Sequence, residues 1–110
     1  MGQMAGRQQS AHKMIAKWGG IGQLNRNGVL RNATMARMEY TTRERAGLQV
    51  DVECKIRISC VGLTVPPDMD QDLITFNGKN YKMLLPPSGP SADGATFAFW
   101  DCAVVGTALG

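Results

Sequence analysis

Residues 73–85 read LITFNGKNYKMLL, from Leu73 to Leu85. Ile74, Phe76, Tyr81, Met83 and Leu85 alternate with polar residues on either side of Asn77-Gly78. A period of two is the mark of a strand with one face buried, and Asn-Gly tolerates the positive φ of a type I′ turn, whose twist matches that of paired strands. The stretch therefore predicts a β-hairpin with Asn77 and Gly78 at its turn. Working outward, Asn27-Gly28 is a second turn of the same kind, between a short strand at 21–25 and a longer one at about 29–40. In that longer strand Met38 and Tyr40 share one parity and Met35 takes the other, while Ala33, Thr34 and Ala36 blur which face is buried.

Residues 53–61 carry the cleanest alternation, with Cys54, Ile56, Ile58 and Cys60 predicted inward and Glu53, Lys55, Arg57 and Ser59 predicted in water. Residues 95–105 form the last predicted strand. Phe97 and Phe99 lie on one parity and Ala98, Trp100, Cys102 and Val104 on the other, so this strand should be covered on both sides, within a closed barrel or at a subunit contact. Between the strands lie polar excursions. Residues 41–51 (TTRERAGLQVD) read as a charged loop, and residues 62–72 (GLTVPPDMDQD) and 86–94 (PPSGPSADG) are interrupted by prolines that cannot donate to a ladder. Near the start, Ser10 offers an N-cap; Ala11, Met14, Ile15 and Trp18 fall at helical spacing until Gly19-Gly20. A two-turn helix cannot stand alone and must lean on the body or a partner. Residues 1–9 read as an arm, and residues 106–110 as a frayed tail.

The fold class that follows is all-β: a small β-barrel or sandwich of five to six antiparallel strands, with a short N-terminal helix and long loops. Its organisation is an arm and helix at 1–18, a single β-barrel domain at 19–106, and a C-terminal tail at 107–110. One core is all that 110 residues support. No run approaches the ~20 apolar residues of a membrane-spanning helix, the first 18 residues lack a signal-peptide pattern, and no myristoylation signal is present, so cytoplasmic synthesis and no membrane contact are expected.

The chemistry of the side chains argues against an enzyme. Three cysteines without CxxC spacing read as buried thiols in a reducing compartment. The one histidine, His12, sits in the arm segment without triad partners or zinc-ligand spacing. Asp68, Asp70 and Asp72 have a DxDxD look but lack the Gly and terminal Glu of a calcium loop, and read as a solvated acidic loop. No cofactor and no small-molecule substrate are expected. Charge is divided along the chain: residues 1–45 hold eight Lys or Arg against two acids, net +6, and residues 46–110 hold four against seven, net −3. Such a split suits either contact with nucleic acid or head-to-tail packing of identical subunits.

Taken in order, Met14-Ile15-Ala16-Lys17-Trp18-Gly19, Arg43-Glu44-Arg45-Ala46-Gly47-Leu48, Gly62-Leu63-Thr64-Val65-Pro66-Pro67 and Asp72 through Lys82 resemble the head-closure proteins of tailed bacteriophages, the head-to-tail connector or stopper subunits of the neck. The resemblance runs over about residues 14–105 and rests on order, loop placement and length. The long 86–94 segment and the FAFWDCAVV strand depart from the family pattern and leave open a neighbouring tail-completion or tail-terminator role. What the resemblance implies is a non-enzymatic virion protein, assembled in the host cytoplasm. It would form a sixfold or twelvefold ring on portal and adaptor proteins after DNA packaging, help retain the genome and join the tail. On that view Arg43, Glu44, Arg45, Gly47 and Leu48 form the channel or partner loop, with Arg43 and Arg45 near DNA phosphate. Arg7, Lys13, Lys17 and Trp18 would be the arm contacts. The rival reading is an autonomous single-stranded nucleic-acid-binding β-barrel, in which aromatics of the last strand would form a stacking platform.

Overall fold

The computed structural model describes residues 12–63, 65–88, 91–92, 96–97 and 99–107. Its elements are α1 (residues 12–18), β1 (Gly20–Arg26), β2 (Val29–Met38), α2 (Thr42–Ala46), β3 (Cys54–Ser59), β4 (Asp72–Phe76), β5 (Lys79–Met83), β6 (Ser91–Ala92), β7 (Thr96–Phe97) and β8 (Phe99–Gly106). Six of the strands close an antiparallel barrel in the order β1-β2-β3-β8-β5-β4, with β4 returning to β1. Both Asn-Gly pairs make two-residue hairpin turns. Asn77 and Gly78 have φ of 52° and 75°, and Asn27 and Gly28 have 54° and 87°, with Phe76 opposite Lys79 and Arg26 opposite Val29. The Asn25 side-chain oxygen also accepts from the Gly28 N–H at 2.8 Å.

The interior is filled by side chains from every barrel strand. Leu24, Met35, Cys54, Ile56, Ile58, Ile74, Met83, Cys102 and Val104 are fully buried, with Phe76 and Tyr81 beside them. Closure puts the core faces of β1 and β4 together, Leu24 opposite Ile74. A barrel of this size leaves no room for a ligand inside. Gly22 is the position that permits this packing: a Cβ there would lie 2.4 Å from Met35 Sδ and 2.8 Å from the Thr75 carbonyl oxygen.

The outside of the barrel is unevenly covered. Helix α1 lies across β2 and β3, with Ile15 buried and His12 Nδ1 2.9 Å from Ser59 Oγ. This corrects two sequence expectations. Ser59 is an outward residue but fully buried, because α1 roofs it, and the same roof accounts for burial of Thr34 and Ala36 on β2. Of the apolar helix residues, Ile15 alone among those described faces the body; Met14 and Trp18 are 63% and 73% exposed.

Other corrections concern the loops and the chain's end. Residues 41–51 are not simply a loop, since they contain α2. Thr41 is its N-cap, with Thr41 Oγ1 accepting from Glu44 N at 3.1 Å and Glu44 Oε1 accepting from Thr41 N at 3.0 Å. This T-x-x-E capping box stabilises a single turn that hydrophobic periodicity does not reveal. Residues 95–105 are not one strand: β7 pairs with β6 in a separate two-stranded sheet, and β8 begins at Phe99. Gly106 and Thr107 are held rather than frayed, their N–H groups donating to Glu53 Oε1 and the Asn80 carbonyl. The arm at 1–9 with Arg7, and residues 108–110, lie outside the described residues.

Candidate interaction surfaces

The two ends of the barrel are closed by charge, and each closure fixes the loops around it. At the end where β1 meets β2, Arg26 and Arg31 flank the Asn27-Gly28 turn and converge on Asp72 at the start of β4. Arg26 donates through Nε to Asp72 Oδ1 at 2.9 Å and through Nη2 to Oδ2 at 2.8 Å; Arg31 Nη2 reaches Oδ2 at 2.9 Å. The Asp68 N–H also donates to Oδ2 at 2.8 Å. Asp72 is only 5% exposed, so the solvated-loop expectation fails for it. Burial raises its pKa, but the Arg26 bond, the Asp68 N–H and the charge of Arg31 outweigh burial and hold the carboxyl below its ordinary value. The same arginines tie down the proline loop, Arg26 through the Pro66 carbonyl and Arg31 through that of Val65.

At the opposite end, Glu53 accepts from Lys79 Nζ at 2.6 Å and from the Gly106 N–H at 3.1 Å, while Arg37 pairs with Glu39 at 2.9 Å. Helix α2 sits beside this end. Arg45 donates to the carbonyls of Val52 and Glu53 and lies over the Tyr40 ring, and Glu44 closes the capping box and stands 3.5 Å from Lys55. Gly47 ends the helix with an ordinary right-handed φ of −84°. Leu48 lines a hollow of about 260 Å³ with Tyr40, Lys55, Leu85 and Asp101. Among the five residues expected to form a partner loop, then, Glu44 and Arg45 build the loop, Leu48 packs under it, and Arg43 is the exposed cation left on it.

Along α1, Lys13 and Lys17 form one exposed i, i+4 stripe and Met14 and Trp18 a second beside it, with Lys17 Nζ 5.6 Å from the Trp18 ring centre. These candidate arm contacts are brought together on one ridge. Of the aromatic residues on β8, Trp100 packs against the core, and the Phe99 ring lies 4.1 Å beneath the Arg57 guanidinium, itself paired bidentately with Asp101.

Sequence reasoning missed the surface at the Asn27-Gly28 tip. Val29, Leu30 and Val65 are exposed there, and Val29 and Val65 line an apolar hollow of about 350 Å³ with Arg26, Asn27 and Arg31. The available signal was Val29-Leu30 directly after a turn, where the alternation of β2 has yet to begin. Among the described residues no three His, Cys, Asp or Glu stand close enough to hold a metal ion, and no helix is long and apolar enough to cross a membrane. No family model matches the chain, and neither the curated proteins nor the solved structures include a significant match to it.

Proposed function

We propose that the chain is a structural subunit of a tailed-phage neck, a ring-forming head-to-tail connector that docks on the portal–adaptor complex after DNA packaging and joins the tail. The observation that carries this reading is the distribution of side chains on the barrel. Its interior is filled, while large apolar residues stand exposed on its outside, among them Met14 and Trp18 on α1, Ile21 on β1, and Val29, Leu30 and Val65 about the Asn27-Gly28 tip. Unlike patches on one rigid body are what heterologous ring contacts require. The resemblance of the order of its sequence segments to that of head-closure proteins suggests the biological setting, the virion neck. Within it, Arg43 is the residue of the 41–52 segment available to touch packaged DNA, by phosphate charge and without sequence reading.

Native mass spectrometry of the purified chain, alone and mixed with portal complexes carrying their adaptor, tests the reading. Sixfold or twelvefold incorporation is the expected result. Failure to bind such complexes, together with salt-sensitive binding of single-stranded DNA, would replace it with the nucleic-acid module.

A further inference from the structure

From the pairing of β2 we infer that its free edge at residues 29–33 receives an added strand, an extended segment donated by a different polypeptide. The inference goes beyond the ring reading and stands without it.

The two neighbours of β2 cover different parts of it. Val29 through Met35 lie opposite β1, whereas β3 meets β2 only from Met35 to Met38. In an antiparallel ladder successive residues turn their N–H and C=O groups to opposite sides, and in a two-residue hairpin the residues flanking the turn bond to each other. Counting from Arg26 opposite Val29, the backbone groups of Val29, Arg31 and Ala33 face β1. Those of Leu30 and Asn32 face away from it, where no described residue bonds to them. A longer β3 would cover them. Instead the Val61 N–H donates to Ser59 Oγ at 3.1 Å and the Leu63 N–H bonds back to the Cys60 carbonyl, a turn that takes the chain off the sheet through Gly62 at a φ of 81°.

Two further features mark this edge as a pairing site. Open edges are normally guarded by a lysine, a proline or a bulge. Residues 29–33, Val-Leu-Arg-Asn-Ala, hold no Lys and no Pro, and their register against β1 is unbroken. Their one charge, Arg31, is occupied by Asp72 and the Val65 carbonyl. The side chains are also those of an unfinished sheet. Leu30 is exposed on the outer face, and Val29 borders the hollow with Val65 on the inner one, so the alternate side chains of an added strand would cover both.

Unpaired backbone groups select an extended chain, and composition argues that the chain is not this one. Residues 1–9, MGQMAGRQQ, contain no β-branched or aromatic residue, and residues 86–94 hold three prolines, so neither is a strand former. Two copies pairing this edge about a two-fold axis would drive the Asn27-Gly28 tip of each against the end of the other's β3 after a few residues. The donor is therefore another polypeptide with a short segment of β-branched or apolar residues.

The test uses the full chain, isotopically labelled, with a short capped peptide of alternating Val and Thr as probe and amide exchange by NMR as readout. In the free chain at about 50 μM the Leu30 and Asn32 amides should exchange freely while those of Arg31 and Ala33 are protected. Peptide at about 5 mM should slow exchange at Leu30 and Asn32 about tenfold or more and shift their resonances. The same peptide methylated at every Val and Thr nitrogen keeps its side chains but loses its donors, and should bind about tenfold more weakly or worse. Asn32→Pro removes one edge-facing N–H, a substitution that edge strands accept, and should weaken the peptide by a similar factor; the methylated peptide makes the same test on the unaltered protein. Leu30 and Asn32 amides already protected in the dilute chain, protection that appears only as the chain itself is concentrated, equal binding of the plain and methylated peptides, or no binding at about 5 mM would each overturn the inference.

Discussion

Replacing Asp72 with Ala should be among the most damaging single changes to this fold. Its carboxylate takes four hydrogen bonds, three from guanidinium N–H groups and one from the Asp68 N–H, and it joins the β1-β2 hairpin to the start of β4 and to the proline loop. Breaking a fully buried ion pair costs about 3–5 kcal/mol. Here the acid side chain is completely inaccessible while those of Arg26 and Arg31 are 26% and 21% exposed, so the freed arginines regain part of their hydration and the lower end, about 3 kcal/mol, applies. In a chain of 110 residues that is roughly 12–24 °C in Tm, out of a total stability on the order of 5–15 kcal/mol. Urea and thermal unfolding followed by circular dichroism measure it directly. The same carboxylate sets an acid limb. Its folded pKa is depressed, so its contribution is present above the unfolded value of about 3.9 and is lost as pH falls through the folded one. Asp72→Asn should remove that limb, leaving a flatter dependence of stability on pH below about 4. A loss under about 1 kcal/mol for Asp72→Ala, the range of an exposed surface pair, would refute the claim that this cluster locks the barrel end.

Further expectations concern backbone clearance, capping and thiol reactivity. At Gly19 a Cβ would lie 2.0 Å from the Met35 carbonyl oxygen and 2.7 Å from Ala36 Cα, whereas at Gly20 nothing stands within 4 Å. Gly19→Ala should therefore cost about 1–3 kcal/mol and lift α1 from β2, exposing the Ile15 methyls to solvent in NMR spectra, while Gly20→Ala stays within about 0.5 kcal/mol. Thr41→Ala deletes the cap of α2 at a cost of about 1 kcal/mol, and amide exchange should quicken at 44–48 while β3 stays protected. Burial pushes the Cys102 thiol up to about 12 and raises that of Cys54. Neither should react with a thiol reagent near neutral pH until the barrel unfolds, and rapid labelling of Cys102 in the native state would contradict the packing.

Much of the barrel was legible because its determinants are local. Alternation at 54–58 and 74–83 marks inward residues whatever the strands pair with, and Asn27-Gly28 and Asn77-Gly78 place both tight turns through an allowed positive φ at each Asn. Two kinds of expectation failed: those where a distant segment decides exposure or pairing, and one where a local cap stands in for a hydrophobic stripe. Ser59 obeys its alternation yet is buried, because α1, 47 residues earlier in sequence at His12, comes to lie over it. Residues 41–46 contain a helix set by one reciprocal cap rather than by a hydrophobic stripe.

By itself, then, the sequence determined strands, turns and the inward set of side chains, all fixed by steric and hydrophobic rules acting over a few residues. Tertiary structure alone decided that the sheet closes and that Asp72 finds Arg26 and Arg31, 46 and 41 residues away. It also decided that Trp18, Val29 and Val65 stay outside. Those outcomes depend on which surfaces meet once the chain has folded back on itself, and that pairing leaves no periodic trace in the chain.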